Sequence, residues 1–143
     1  MSDELATARL RVSQVEEELT RLSQRDPLIP RLLSLGAFRT QLELDVARAH
    51  RYERPLTVAL LDIDRFRHLN LERGYAAGDA VLVAVGGLIA ERTRVHDLAC
   101  RMGGDEFGFL LPETGTTAAQ QAIERILVEI GRASCRERVS SVV

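Results

Sequence analysis

The sequence predicts an α+β domain built on an antiparallel sheet, preceded by a helical stalk. Three observations predict it. Apolar runs at 98–100 and 107–111 flank a Gly103-Gly104 turn, the pattern of a β-hairpin. Residues 55–61 form a continuous apolar, partly β-branched run that ends in Asp62-Ile63-Asp64, the pattern of a strand buried on both faces. Helical patterning fills the segments between and around these runs.

The elements follow in order. In residues 1–25, Leu5, Ala8, Val12, Val15, Leu19 and Leu22 recur at spacings of 3, 4, 3, 4 and 3, an a/d heptad pattern. This segment reads as a coiled-coil dimerisation helix. A monomeric amphipathic helix is the competing reading, although so short a helix is marginal alone. Residues 26–130 form the domain. Residues 37–52 read as a helix with Phe38, Leu42, Val46 and Ala49 on one face. After the strand come a short helix at 66–72, a loop at 74–78 and a buried helix at 80–93. Gly86-Gly87 within that helix costs about 1 kcal/mol per glycine relative to alanine, which predicts close packing against the sheet. The hairpin follows, its glycines supplying positive φ, and 116–130 is the last helix.

The chemistry sits at two strand ends. Asp105 and Glu106 follow two glycines directly, so a triphosphate and its metal can approach main chain while the acids offer hard oxygen ligands. Asp62 and Asp64 share one face of their strand, because strand side chains alternate. Two such ends side by side would form a two-metal site for phosphoryl transfer, its ions roughly 3.5–4 Å apart. A solvated strand end and a bland acidic hairpin are the competing readings of each cluster taken alone.

Gly103-Gly104-Asp105-Glu106-Phe107 resembles the signature of the GGDEF family, the bacterial diguanylate cyclases. The resemblance extends through Asp62-Ile63-Asp64-Arg65-Phe66-Arg67-His68-Leu69-Asn70, with Gly74, Gly78 and Asp79 at the family's spacing. It implies a ferredoxin-like nucleotide cyclase fold with helices on one side of the sheet. It also implies condensation of two GTP into cyclic di-GMP by a homodimer, each domain holding one GTP. Asp62, the Ile63 carbonyl, Asp105 and Glu106 would bind Mg²⁺, two ions per half-site, with Mn²⁺ as a substitute. Asp105, Glu106 and Arg67 would be catalytic. Phe66, Asn70, Asp79, Gly103 and Gly104 would bind substrate, with Asn70 and Asp79 on the guanine. Asp79 also reads as a helix N-cap, and the two roles are compatible. Arg94-Val95-His96-Asp97 resembles the family's inhibitory RxxD site for cyclic di-GMP; a solvated Arg–Asp pair is the alternative. A catalytically inactive module that binds GTP or cyclic di-GMP, or dimerises, is the alternative for the whole chain.

The chain departs from the family pattern in places. Arg67 stands for the usual lysine in a chain with no lysine at all, Leu71 for an aspartate and Tyr75 for a histidine. Guanidinium and ammonium present phosphate donors differently. Asp26-Pro27-Leu28-Ile29-Pro30-Arg31 stands where the family reads Asp-x-Leu-Thr-Gly-Leu, with one residue more.

Composition excludes other classes. The chain has 143 residues, 45% of them apolar, enough for a core. A net charge of −2 leaves no basic footprint for nucleic acid. No apolar run approaches the roughly 20 residues of a membrane helix, and no secretory signal is visible. Two cysteines outside any metal spacing fit a reducing, cytoplasmic setting. Residues 131–143 lose the apolar rhythm of the last helix, and 130–139 resemble a translated sequencing-library adapter. The tail is therefore expected to be non-native and the fold incomplete at its C-terminus, leaving the strand at 56–63 without a neighbour and the chain itself marginally stable and without cyclase activity.

Overall fold

A computed structural model of the chain describes residues 2–131 and 135–141, with the side chains of 20–23 and 135–139 outside that description. The elements run α1 (Ser2–Ser23), α2 (Leu35–Tyr52), β1 (Leu56–Ile63), α3 (Phe66–Arg73), α4 (Tyr75–Arg92), β2 (Leu98–Arg101), β3 (Glu106–Pro112), α5 (Thr116–Ile130) and β4 (Cys135–Ser141). The sheet has the order β2-β3-β1-β4, and every pairing is antiparallel. β1 and β3 form its middle. Their register sets Leu56 opposite Pro112 at one end and Asp62 opposite Glu106 at the other.

Helices cover both faces of the sheet, not one. Strand alternation sends Ala59, Leu61, Ile63, Phe107, Phe109 and Leu111 to one face, where they meet Leu82, Val85 and Ile89 of α4 and Ile123, Ile126 and Leu127 of α5. Leu56, Val58, Leu98, Cys100 and Leu110 face the other way and pack on Phe38, Leu42, Val46 and Ala49 of α2. A strand apolar at consecutive positions needs cover on both sides, which the antiparallel pairing leaves intact. The expected face of α2 is the one buried. Of the two glycines in α4, Gly86 is the close contact: a β-carbon there would lie 2.6 Å from Ile29 Cδ1, while one on Gly87 would meet nothing within 4 Å.

Two expected features differ. No loop spans 74–78. Gly74 serves at once as the C-cap of α3 and the N-cap of α4, with φ 87°, a conformation that favours glycine. Asp79 therefore lies inside α4 and is not its N-cap. In addition, β1 does not lack a neighbour, because β4 pairs along it from Thr57↔Ser141 to Ile63↔Cys135. The backbone of 135–141 forms the strand that composition did not suggest. Arg132 and Ser134 lie outside the described residues, as do the side chains of Arg136, Glu137 and Arg138. Heptad residues Leu5, Val12, Val15 and Leu19 of α1 are 55–61% exposed, and the side chain of Leu22 falls outside the description.

Candidate active site

The β2–β3 hairpin turn brings the two carboxylate clusters to one end of the sheet. Met102 N–H donates to the Glu106 carbonyl at 2.8 Å and closes the turn. Ile63 N–H donates to the Asp105 carbonyl at 3.1 Å, which fastens the end of β1 to the turn. Asp62 lies opposite Glu106. Asp62 and Asp105 are half-buried and Glu106 is exposed. Neither Gly103 nor Gly104 takes positive φ, contrary to expectation. A four-residue connection turns with ordinary φ values, unlike a two-residue hairpin. Their use is space: a β-carbon on Gly104 would meet nothing within 4 Å, and one on Gly103 only Glu106 Oε2 at 4.0 Å.

The helix α3 begins strained. Its N-cap, Arg65, sits in the left-handed region at φ 56° without a side-chain cap. Such strain in a non-glycine costs of order 1–3 kcal/mol and collects at functional sites. Arg67 is exposed on the first turn that follows. One turn later Asn70 reaches across to α4. A β-carbon at Gly78 would lie 1.8 Å from Asn70 Oδ1 and 3.2 Å from Phe66 Cζ. The structure thus gathers Phe66, Asn70 and Gly78, with Asp79 exposed next to Gly78. Asn70 Oδ1 is buried and has no hydrogen-bond partner among the described residues. An orphaned acceptor of this kind costs about 1–3 kcal/mol unless a donor arrives.

Arg94 and Asp97 lie at the other end of the hairpin, roughly 15 Å from the turn at about 3.4 Å per strand residue. They line a cleft of about 260 Å³ between the end of α4 and α5. Arg92 and Glu129 close one side of it through paired contacts of 2.9 and 2.8 Å. Arg125 lines the same cleft, and among the described residues neither Arg94 nor Arg125 makes an ion pair. Asp97 N–H donates to the Arg94 carbonyl at 3.1 Å. Burial pushes the Asp97 carboxyl up, against the lowering pull of Arg94, its backbone hydrogen bond and His96. Sequence reasoning missed Arg125. No local pattern marks it, because only the packing of α5 brings it to this cleft.

The diguanylate cyclase GGDEF-domain family matches residues 23–138. The chain belongs to that family. It is 42% identical over 105 residues to diguanylate cyclase DgcP of Pseudomonas aeruginosa, covering 73% of this chain and 16% of that protein. It is 34% identical over 111 residues to the probable diguanylate cyclase DgcT of Escherichia coli, covering 78% of this chain and 24% of that protein. The chain thus spans less than a quarter of the length of either relative. The coiled coil and GGDEF domain of DgcB from Caulobacter crescentus, solved with c-di-GMP, superposes with a TM-score of 0.86 at 24% identity, covering 99% of this chain and 83% of that one. The diguanylate cyclase SiaD of Pseudomonas aeruginosa, solved with its activator SiaC, gives 0.75 at 28% identity, covering 97% and 58%. No helix among the described residues of this GGDEF chain is long and apolar enough to cross a membrane.

Among the described residues no three acidic, histidine or cysteine side chains cluster closely enough to cage a metal. The donor set at the turn suits Mg²⁺ all the same. Mg²⁺ is held by one or two carboxylates together with substrate phosphates and waters rather than by an all-protein cage. Asp62 and Asp105 offer two such carboxylates, neither engaged by a protein cation among the described residues.

Proposed function

We propose that the chain is the catalytic domain of a diguanylate cyclase. Two copies, each holding one GTP, face each other and join the pair into cyclic di-GMP with release of two pyrophosphates. The observation that carries this reading is the fastening of the Asp62-Ile63 strand end to the Asp105-Glu106 turn beside open glycines.

Each residue then has a chemical role. The guanine lies against Asn70 and Asp79. A base N–H satisfies the orphaned Asn70 Oδ1, and the exposed Asp79 carboxylate accepts from N1–H and N2–H. Phe66 backs Asn70 at Gly78. Gly103 and Gly104 admit the phosphates to main chain. Asp62, the Ile63 carbonyl and Asp105, with Glu106, would hold Mg²⁺, two ions per half-site or Mn²⁺ in their place. When bound, the metal supplies neutralisation of phosphate charge. As the 3′-hydroxyl of one GTP attacks the α-phosphate of the other, Asp105 accepts the hydroxyl proton. Arg67 offers guanidinium donors to the charge that develops on phosphate.

The homodimer is supplied by α1, whose exposed heptad residues find cover on a second copy. Product feedback is assigned to the cleft at Arg94 and Asp97, where Arg94 and Arg125 present guanidinium groups to a phosphodiester. The setting is the cytoplasm, where GTP is found.

Turnover decides the reading. The purified chain is incubated with GTP and Mg²⁺, and cyclic di-GMP is followed by chromatography beside Asp105→Ala. Product from the chain and none from the folded variant is the expected result. A folded chain that binds cyclic di-GMP without turning over GTP makes it a binding module. Undiminished turnover in Asp105→Ala overturns the role of that carboxylate.

A further inference from the structure

The stretch between α1 and α2 is bonded into the sheet, and one side chain carries that connection to the signature turn. The Gln24 carbonyl, just past the end of α1, accepts from Ser34 N–H at 2.9 Å. Asp26 N–H donates to the Leu32 carbonyl at 3.0 Å. The Asp26 carboxylate accepts from the Leu28 and Ile29 N–H groups at 3.0 and 2.9 Å through the same oxygen, Oδ2. Leu33 then lies along β2, donating to the Ala99 carbonyl at 3.0 Å and accepting from Arg101 N–H at 3.3 Å. The residues after the stalk thus form a strap on the edge of β2.

Arg101 ends β2 and faces both ways. Its Nη1 lies 3.7 Å from Asp26 Oδ2, with side-chain exposures of 20% and 9% for the pair. Its Nε donates to the Gly103 carbonyl at 3.1 Å and its Nη2 to the Gly104 carbonyl at 2.9 Å. One planar guanidinium therefore grips both glycines of the turn while a mostly buried carboxylate holds its far side. Lysine could not do this, since a point charge lacks the fixed fork of donors. The glycines themselves do not fix the turn: neither takes positive φ, and an added β-carbon would meet nothing closer than 4.0 Å at either.

We propose that Arg101 is a positioning residue for the Gly103-Gly104-Asp105 turn and that Asp26, at the foot of the stalk, anchors it. A displacement of α1 that moves Asp26 then loosens the turn carrying Asp105. The inference deepens the cyclase reading and rests on it for its effect on rate. It does not rest on it for the effect on the turn.

The test uses the full chain with Asp26→Asn, Arg101→Lys and both together. Asparagine keeps an acceptor oxygen for Leu28 and Ile29 N–H and loses only the charge that faces Arg101. Amide exchange at 102–106, melting temperature, and kcat and KM for GTP with Mg²⁺ are measured. Each single variant should raise exchange at 102–106 by about tenfold or more while exchange in β1 stays as it was. Each should lower kcat by roughly 10- to 100-fold with KM within about twofold, since misplacement by about 1 Å costs up to 10²-fold. The double variant should add little to the larger single effect, because the two residues act as one unit. Unchanged exchange at 102–106 overturns the proposal, as does a kcat loss that only follows melting temperature. If the unaltered chain shows no turnover but the exchange response appears, the positioning role stands and the cyclase reading has failed.

Discussion

Gly78 exists as a glycine for the sake of Asn70: the Asn70 Oδ1 occupies the place where a β-carbon on residue 78 would sit, 1.8 Å away. The two residues come from different helices, α3 and α4, joined by a single glycine with positive φ. The position of Asn70, the residue proposed to meet the guanine, is thus set by a steric fit between two helices.

Gly78→Ala should push Asn70 off its position. Overpacking of a fitted contact costs about 1–3 kcal/mol, so the melting temperature should fall. The KM for GTP should rise with it, because Asn70 moves away from the base. Thermal unfolding together with steady-state kinetics checks both. An unchanged KM would remove Asn70 from base recognition.

Arg94→Ala and Arg125→Ala should each weaken cyclic di-GMP binding, by about 1.5–3 kcal/mol for a lost charge-assisted hydrogen bond. Neither should lower the initial rate, since both lie far from the turn. Calorimetry with cyclic di-GMP is the measurement. Equal affinity in all three proteins would make Arg94 and Asp97 no more than a surface turn.

Asp97→Asn should stabilise the fold at neutral pH. Burial raises the folded-state value of this carboxyl above its unfolded one. The folded state then holds a proton more tightly, so ionised Asp97 costs stability above the raised value and nothing below the unfolded value of about 3.9. The gain in melting temperature should therefore be full near pH 7 and shrink as the pH falls through the titration. An asparagine variant less stable at pH 7 would contradict this.

If α1 forms the proposed homodimer, Val12→Glu with Leu19→Glu should dissociate it. Both positions lie on the heptad seam and are exposed in a single chain. Sedimentation should show monomers, and turnover should fall with dimer content. A dimer that survives both changes would have its seam elsewhere.

Some of this was legible in the sequence. The apolar runs around Gly103-Gly104 and before Asp62 are strands, because continuous apolar stretches of that length have few other uses. The helix of Thr116–Ile130 was readable to its ends, since its apolar residues repeat at helical spacing. The start of α4 was not, because Gly74 and Gly78 read as a loop. In the fold, one glycine is a shared cap and the other a clearance for Asn70, and neither purpose shows in one dimension. The guanidinium of Arg101 and the cleft position of Arg125 are likewise products of packing, one across the strap and one across α5. Composition also misjudged the polar segment at 135–141, because strand pairing is made by backbone and asks little of side-chain polarity.

The strap has one more consequence, for self-association. Leu33 takes up backbone groups of Ala99 and Arg101 along the outer side of β2, so that margin of the sheet is partly closed to foreign strands. β4 forms the opposite margin. Misassembly by strand addition therefore has a preferred side, and a fluctuation that lifts β4 would present β1, an apolar middle strand of the sheet, to the next molecule.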